Sequence, residues 1–543
     1  MLQNNASLKN LIQGLWDMFW SGGLANPITA IEQITYLLFM RQLDELDIKK
    51  IEEATASNAP YTSKFEGIYL PDGLEDKPEN YRNKTEFKWS YFTKQGWEDK
   101  QLLDHVKKNV FPFIQKLNEE ETSIQKLNDE ETSFTKYMED ANFVIPKPSL
   151  IKGAISTIED IFVEIKKDAE EDGQAFQDIQ GDVYEMLLGE IAQAGKNGQF
   201  RTPRHLIKLM VELLEPQLGD TIADPACGTA GYLLGAYQYI LTDLVRQRQP
   251  EKLVTDVDGF ESCPTSTILR PEEKATLENS LFGFDIDLTM VRFGLMNLMM
   301  HGIDNPNIER KDTLGKTYNE PAKYTKILAN PPFTGKIDKD DINENLGLVT
   351  NSTELLFLAR ISRMLVKNGQ AAVIIPEGVL FGSSKANKAA REILLKDNQL
   401  EAVISLPAGA FKPYTGVKTA IVVFTKVADN SKIWNTEKVW FYALEHDGYT
   451  LDDKRKKLKE NVLPEVKKRY KIRQATTYKD RKTHFFVPID EIQKNGLDLS
   501  YNRYKEYEYV EQKYATPKKI LAIILALENE ILEELNELNE IIG

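Results

Sequence analysis

The stretch ILANPPFTGK, residues 327–336, ends an apolar run on a carboxamide, two residues without a backbone N–H, and an aromatic ring. Asn330 puts a side-chain oxygen at the rim of a sheet, and Pro331 and Pro332 hold the backbone extended so that carbonyls can point into a cleft. The arrangement offers acceptors to an N–H2 group. The exocyclic amine of adenine is a poor nucleophile because its lone pair is delocalised into the ring. Two acceptors that grip its hydrogens pull the nitrogen toward tetrahedral geometry and release that pair. Phe333 would give an extruded base a stacking face. Taken alone, the tetrapeptide is equally the sequence of a simple turn.

Three other strand ends carry small or acidic residues. ADPACGTAG (223–231) places Asp224 before Ala226, Gly228, Thr229, Ala230 and Gly231, small residues that let a ligand approach the backbone where a helix begins. It is not the G-x-G-x-x-G dinucleotide fingerprint, and packing alone would also favour small residues there. In GFDID, Asp285 occupies the position where doubly wound folds place an acid on ribose hydroxyls. It follows Gly231 by 54 residues, against the roughly 20 of the fingerprint; an insertion over about 243–280 accounts for the difference. RKDTL offers Asp312, a residue type equally expected as a turn cap.

These residues need elements to position them. From about residue 220, short apolar runs alternate with helical stretches, ending with QAAVIIP, LEAVISLP and TAIVVFT. That alternation predicts an α/β, Rossmann-like fold with a doubly wound, mainly parallel sheet, whose ligands sit at the carboxyl ends of the strands. Upstream, residues 8–165 show helical periodicity and almost no strand pattern. The expected organisation is an all-α amino-terminal domain (1–165), a catalytic domain (166–482) and a carboxyl-terminal tail (483–543). Within the first, IQKLNEEETS (114–123) is repeated at once as IQKLNDEETS (124–133), a charged duplication too short for a solenoid and assigned no chemistry. In the tail, Thr516 and Pro517 start a helix with a seam of Ile520, Ile524, Leu527, Ile531, Leu535, Leu538 and Ile542, suited to docking on its own domain or on a partner.

Composition narrows the function. A net charge of −15 argues against coating nucleic acid by bulk attraction, although 453–482 holds 13 Lys or Arg against 4 Asp or Glu, either a solvated linker or a nucleic-acid contact. Two cysteines exclude a disulfide framework and a structural zinc site, and no apolar run approaches the roughly 20 residues of a membrane span. With no secretory leader pattern at the amino terminus, the expected location is the cytoplasm.

The order DPACGTAG, an acid after the next strand, a further acid, then NPPF resembles the amino-methyltransferases that use S-adenosylmethionine. GQFRTPRHLI (198–207), GQAAVIIPEGVLFG (369–382), GVKTAIVVF (416–424) and LSYNRY (499–504) extend the likeness. The whole chain resembles the modification subunit of type I restriction-modification systems. The resemblance implies that Gln199, Phe200, Arg201, Thr202, Pro203 and Arg204 wall a cofactor pocket. Asp224 and the Thr229, Ala230, Gly231 turn would hold the methionine part, Asp285 the ribose and Asp312 the cofactor adenine, with Ala226 and Gly228 also cofactor-binding. Asn330, Pro331, Pro332 and Phe333 would form the target-base site. The loop reads ACGTAG where many relatives have a Ser-Gly pair, and an acid shorter than Glu stands at 285. The resemblance further implies adenine-N6 methylation of double-stranded DNA without a metal. Two modification subunits would join one specificity subunit, which chooses the target, with restriction subunits in a larger complex. Cys227 is expected to pack rather than attack, and His205 and His301 to be core or surface residues. The rivals are protein-glutamine methylation, a nucleotide-binding oxidoreductase and a non-catalytic assembly subunit.

Overall fold

The computed structural model describes residues 6–24, 26–58, 60–71, 73–117, 132–172, 202–256, 258–263, 268–475, 481–506 and 516–542. Gln199, Phe200, Arg201 and most of the duplicated decamer lie outside them.

The helical front begins with α1 (Ala6–Ser21) and α2 (Pro27–Ser57) and closes with α3 (Pro148–Asp172). Asn26 caps α2 by accepting from the Ile28 N–H, with Pro27 in the first turn where its missing donor costs nothing. Nine strands then form the central sheet: β1 (Ile222–Asp224), β2 (Leu281–Asp285), β3 (Asn307–Arg310), β4 (Tyr324–Ala329), β5 (Leu365–Pro376), β6 (Asn398–Ser405), β7 (Thr419–Lys426), β8 (Lys438–Ala443) and β9 (His484–Pro488). Their order across the sheet is β9-β8-β6-β7-β5-β4-β1-β2-β3. The five strands from β3 to β5 are mutually parallel. β7 runs antiparallel to both β5 and β6, and β9 to β8. The sheet thus extends beyond Lys482 into the segment assigned from sequence to the tail.

Alternate residues of the middle strands enter two cores, as a sheet covered on both faces requires. On β5 and β7, Ala372, Ile374, Ile421 and Val423 face one layer, while Val373, Ile375, Ala420 and Val422 face the other. The first layer contains α4 (Arg204–Leu214), α5 (Gly231–Arg248) and α6 (Leu288–Met300) and continues without a break into the front helices. Arg292 on α6, nearly inaccessible, donates to Glu32 on α2 at 3.0 Å and to the Tyr137 carbonyl at 2.8 Å, and Lys50 on α2 pairs with Asp304 at 2.6 Å. The other layer includes α7 (Thr353–Met364).

A separate compact unit spans 505–543, and its described part is one helix, α8 (Pro517–Ile542). Thr516 precedes it and accepts from the N–H groups of Lys519 and Ile520. The seam side chains Ile520, Ile524, Leu527, Ile531, Leu535 and Leu538 are each about half exposed, as are Leu521, Ile523, Leu525 and Leu532 outside it.

Candidate active site

Successive connections lead from β1 toward β2 and β3 on one side and from β4 toward β5 on the other, so the order reverses between β1 and β4. A crevice opens at the carboxyl ends of two such strands. Asp224 ends β1, and Asn330 directly follows β4.

Asp224 is fully buried, with Oδ1 accepting from the Ala226 N–H at 3.1 Å. Burial pushes its carboxyl up to about 8; the Ala226 N–H opposes the rise and the nearby Asp285 charge adds to it. Asp285, at the end of β2, accepts from the Gly228 N–H and the Asp287 N–H, each at 2.9 Å. Its carboxyl is also raised, chiefly by burial, against the pull of those N–H groups. Among the described residues no Lys or Arg pairs with either carboxylate. Without a paired cation, the cost of burying these acids is met by the rise of both carboxyls, which favours their neutral forms.

The loop between these acids is held closely. Gly228 has φ of 51° and Ala230 φ of 63°, the second an unusual conformation for a residue with a Cβ. Asn297 on α6 fixes the turn by donating to the Thr229 carbonyl at 2.8 Å, and Thr313 donates to the Pro225 carbonyl at 3.1 Å. Gly294 admits the loop, since a Cβ there would lie 2.7 Å from Ile308 and 3.1 Å from the Gly228 carbonyl. Cys227 is buried beside the two acids, and burial first, then those charges, drive its thiol well above the ordinary range. A thiol kept protonated by burial is a poor nucleophile, as for a cysteine that packs. Directly after Asp285, Ile286 is 66% exposed, an apolar side chain beside the strand end that the strand pattern does not single out.

Asp312 accepts from the Leu314 N–H at 2.9 Å, so at least one oxygen caps its own turn. Thr202 is buried, and Pro203 and Arg204 are half-buried at the start of α4. Asn330 meets this segment: its Nδ2 donates to Thr202 Oγ1 at 2.9 Å, while Oδ1 is buried without a partner. Pro331 is buried and Pro332 exposed. Phe333 is buried and perpendicular to the ring of Phe411, with centroids 5.3 Å apart. Phe411 lies on the β6–β7 connection, in GAFKPY, where an aromatic in a loop gives no local signal.

His205, for which the sequence suggests no partner, bonds through Nε2 to buried Asp447 at 2.8 Å and stacks on Tyr449. His301 bonds through Nδ1 to the Asn297 carbonyl at 2.8 Å. In the basic stretch, Arg455 pairs with Asp447, Lys467 with Glu212, Lys471 with Glu215 and Arg473 with Glu401. Much of its charge is neutralised within the fold, with two of the acids on or beside α4.

The sequence model for the family described as N-6 DNA Methylase matches residues 175–513, which carry every candidate residue above. The chain belongs to the N-6 DNA methylase family. A second model, the HsdM N-terminal domain, matches residues 8–158, the helical front. The type I restriction enzyme EcoEI methylase subunit of Escherichia coli is 27% identical over 547 residues, covering 99% of this chain and 98% of that one. The EcoKI methylase subunit of Escherichia coli K12 is 32% identical over 278 residues, 49% of each chain. Among solved structures, the type I restriction-modification system methyltransferase subunit from Streptococcus thermophilus shares the fold with a TM-score of 0.62 at 20% identity, over 92% of this chain and 99% of that one. Among the described residues no helix is long and apolar enough to cross a membrane.

Proposed function

We propose that this N-6 DNA methylase is the modification subunit of a type I restriction-modification system and methylates N6 of an adenine flipped out of double-stranded DNA. The single observation that carries the reading is the buried, unpartnered Oδ1 of Asn330 at the switch point, beside two uncompensated carboxylates. The acids suit S-adenosylmethionine, whose ammonium and sulfonium groups are cationic. When bound, that cofactor supplies a methyl group on a positively charged sulfur. Asp224 and the Thr229–Gly231 turn would face its methionine part, Asp285 its ribose, and Asp312, with Ile286, its adenine, while Thr202, Pro203 and Arg204 line the wall.

The chain's own part is to bind, orient and withdraw water. The target ring enters against the Phe333–Phe411 pair, which leaves its amine facing Asn330. Asn330 Oδ1 accepts one amine hydrogen and the neighbouring Pro331 carbonyl the other, which frees the nitrogen lone pair to bond the methyl carbon as its bond to sulfur breaks. The same two acceptors stabilise the positive charge that develops on nitrogen until one amine proton passes to solvent. Base extrusion gives access to that nitrogen.

Target choice comes from a separate specificity subunit, with two modification subunits for each one, restriction subunits joining a larger cytoplasmic complex. The test is incubation of the purified assembly with methyl-labelled S-adenosylmethionine and unmethylated DNA. Label in N6-methyladenine, lost in Asn330→Ala, is the expected result; label in protein, or an undiminished Asn330→Ala rate, overturns the reading.

A further inference from the structure

Phe411, half of the aromatic pair at the target-base site, stands on a connection between strands, and a connection without support leaves a ring mobile. The chain supports it at two points, one on each side. Gly409, with φ of 96°, comes so near Leu451 that a Cβ there would lie 2.6 Å from the Leu451 carbonyl, and Lys412 pairs with Asp453 at 3.1 Å. Both partners belong to the hairpin that follows β8, where Tyr449 bridges Lys457 and the Thr450 N–H donates to the Lys456 carbonyl at 2.7 Å.

The foot of this hairpin reaches the opposite wall of the site. Asp447, which is 0% exposed, bonds His205 Nε2 at 2.8 Å and pairs with Arg455. Arg455, at φ of 45°, also donates through Nη1 to the Thr450 carbonyl at 2.8 Å, so its side chain closes the turn. Tyr449 stacks on the His205 ring with centroids 4.5 Å apart. His205 follows shortly after Thr202, whose hydroxyl accepts from Asn330 Nδ2 at 2.9 Å. Contacts therefore run in a closed ring. They pass from Asn330 through the Thr202–His205 segment to the hairpin, from the hairpin to the Phe411 loop, and from Phe411 to Phe333 beside Asn330. A buried ionic group adds little stability over an apolar one of equal size; what it adds is a fixed direction.

We propose that Asp447 is a positioning residue for methyl transfer: through His205 and Arg455 it fixes the hairpin to the Thr202–His205 segment, and the hairpin holds Phe411 where an extruded base stacks. This role rests on the reading of the site given above.

The test uses the intact assembly with its specificity partner, saturating labelled S-adenosylmethionine, and duplex DNA carrying adenine or 2-aminopurine at the methylated position. 2-Aminopurine brightens when it leaves the base stack. Asp447→Asn is expected to slow single-turnover transfer about 10-fold and to lower the 2-aminopurine signal, with DNA and cofactor Kd each within about threefold. Arg455→Asn, which places a residue tolerant of the left-handed backbone on the turn, is expected to do the same and serves should Asp447→Asn fold poorly. A double-mutant cycle separates positioning from general loosening: in a Phe411→Leu background, Arg455→Asn should slow transfer less than about twofold, because the ring it steers is gone. Parental rates in both single variants, a loss confined to cofactor Kd, an unchanged 2-aminopurine signal, or full additivity with Phe411→Leu overturns the proposal. If Asn330→Ala is slow while these variants are not, only this inference fails; if Asn330→Ala is also unaffected, the reading of the site fails.

Discussion

The carboxylate of Asp285 makes its neighbour Asp224 harder to ionise, across a glycine loop that both residues hold by accepting backbone N–H groups. Burial raises both carboxyls further, and Asp224 reaches about 8. At neutral pH the ligand-free protein therefore keeps a proton on Asp224, one that a cation docking beside it would displace.

Cofactor binding is thus expected to release close to one proton at pH 6 to 7, and affinity to rise by up to about tenfold per pH unit until the Asp224 value of about 8 is reached. Calorimetry in buffers of different ionisation enthalpy reads the proton directly. A pH-independent affinity with no proton release would show that Asp224 does not face the cation.

The same residue should tax stability in the absence of ligand. Folded Asp224 holds its proton to about 8, whereas an ordinary aspartic acid gives it up near 3.8, so the native state loses stability as pH climbs through that interval. Asp224→Asn removes the titration. Its melting temperature should exceed the parental one by a margin that widens from about pH 4 to about pH 8, even as cofactor binding is lost. Thermal scans of ligand-free protein at several pH values check this, and a margin that shrinks with rising pH contradicts it.

Cys227 should be dispensable for chemistry. Cys227→Ala is expected to methylate within about threefold of the parental rate, because a thiol held protonated by burial has no thiolate to offer. In the native protein, a thiol reagent should modify half-buried Cys263 well before buried Cys227. Rapid inactivation traced to Cys227 would contradict both statements.

Removal of α8 addresses the partner. A chain cut before Thr516 should retain the sheet unit, which is compact without it, but should no longer assemble with the specificity subunit. Size-exclusion chromatography of the co-expressed pair decides the matter, and undiminished assembly excludes α8 as the contact.

The strand ends were legible in sequence because a polar residue that closes an apolar run is a local signal, and Asp224, Asp285 and Asn330 each do so. The parallel order followed from the alternation of runs and helices. What sequence did not show are pairings between distant segments: Thr202 with Asn330 across 128 residues, and His205 with Asp447 across 242. Phe411 was missed for the same reason, since its relation to Phe333 exists only once the β6–β7 connection folds over the site. The basic stretch was legible as charge, but its counter-ions Glu212 and Glu215 stand some 250 residues upstream on or beside another helix. Asp312 had two readings, and at least one of its oxygens serves the turn.

The half-exposed Ile and Leu side chains along the described part of α8 also bear on how such a subunit must be made. An uncovered greasy rod invites self-association, so copies synthesised beyond the supply of whatever shelters that surface would clump or be degraded. Matched production would then be a condition of solubility as well as of correct assembly.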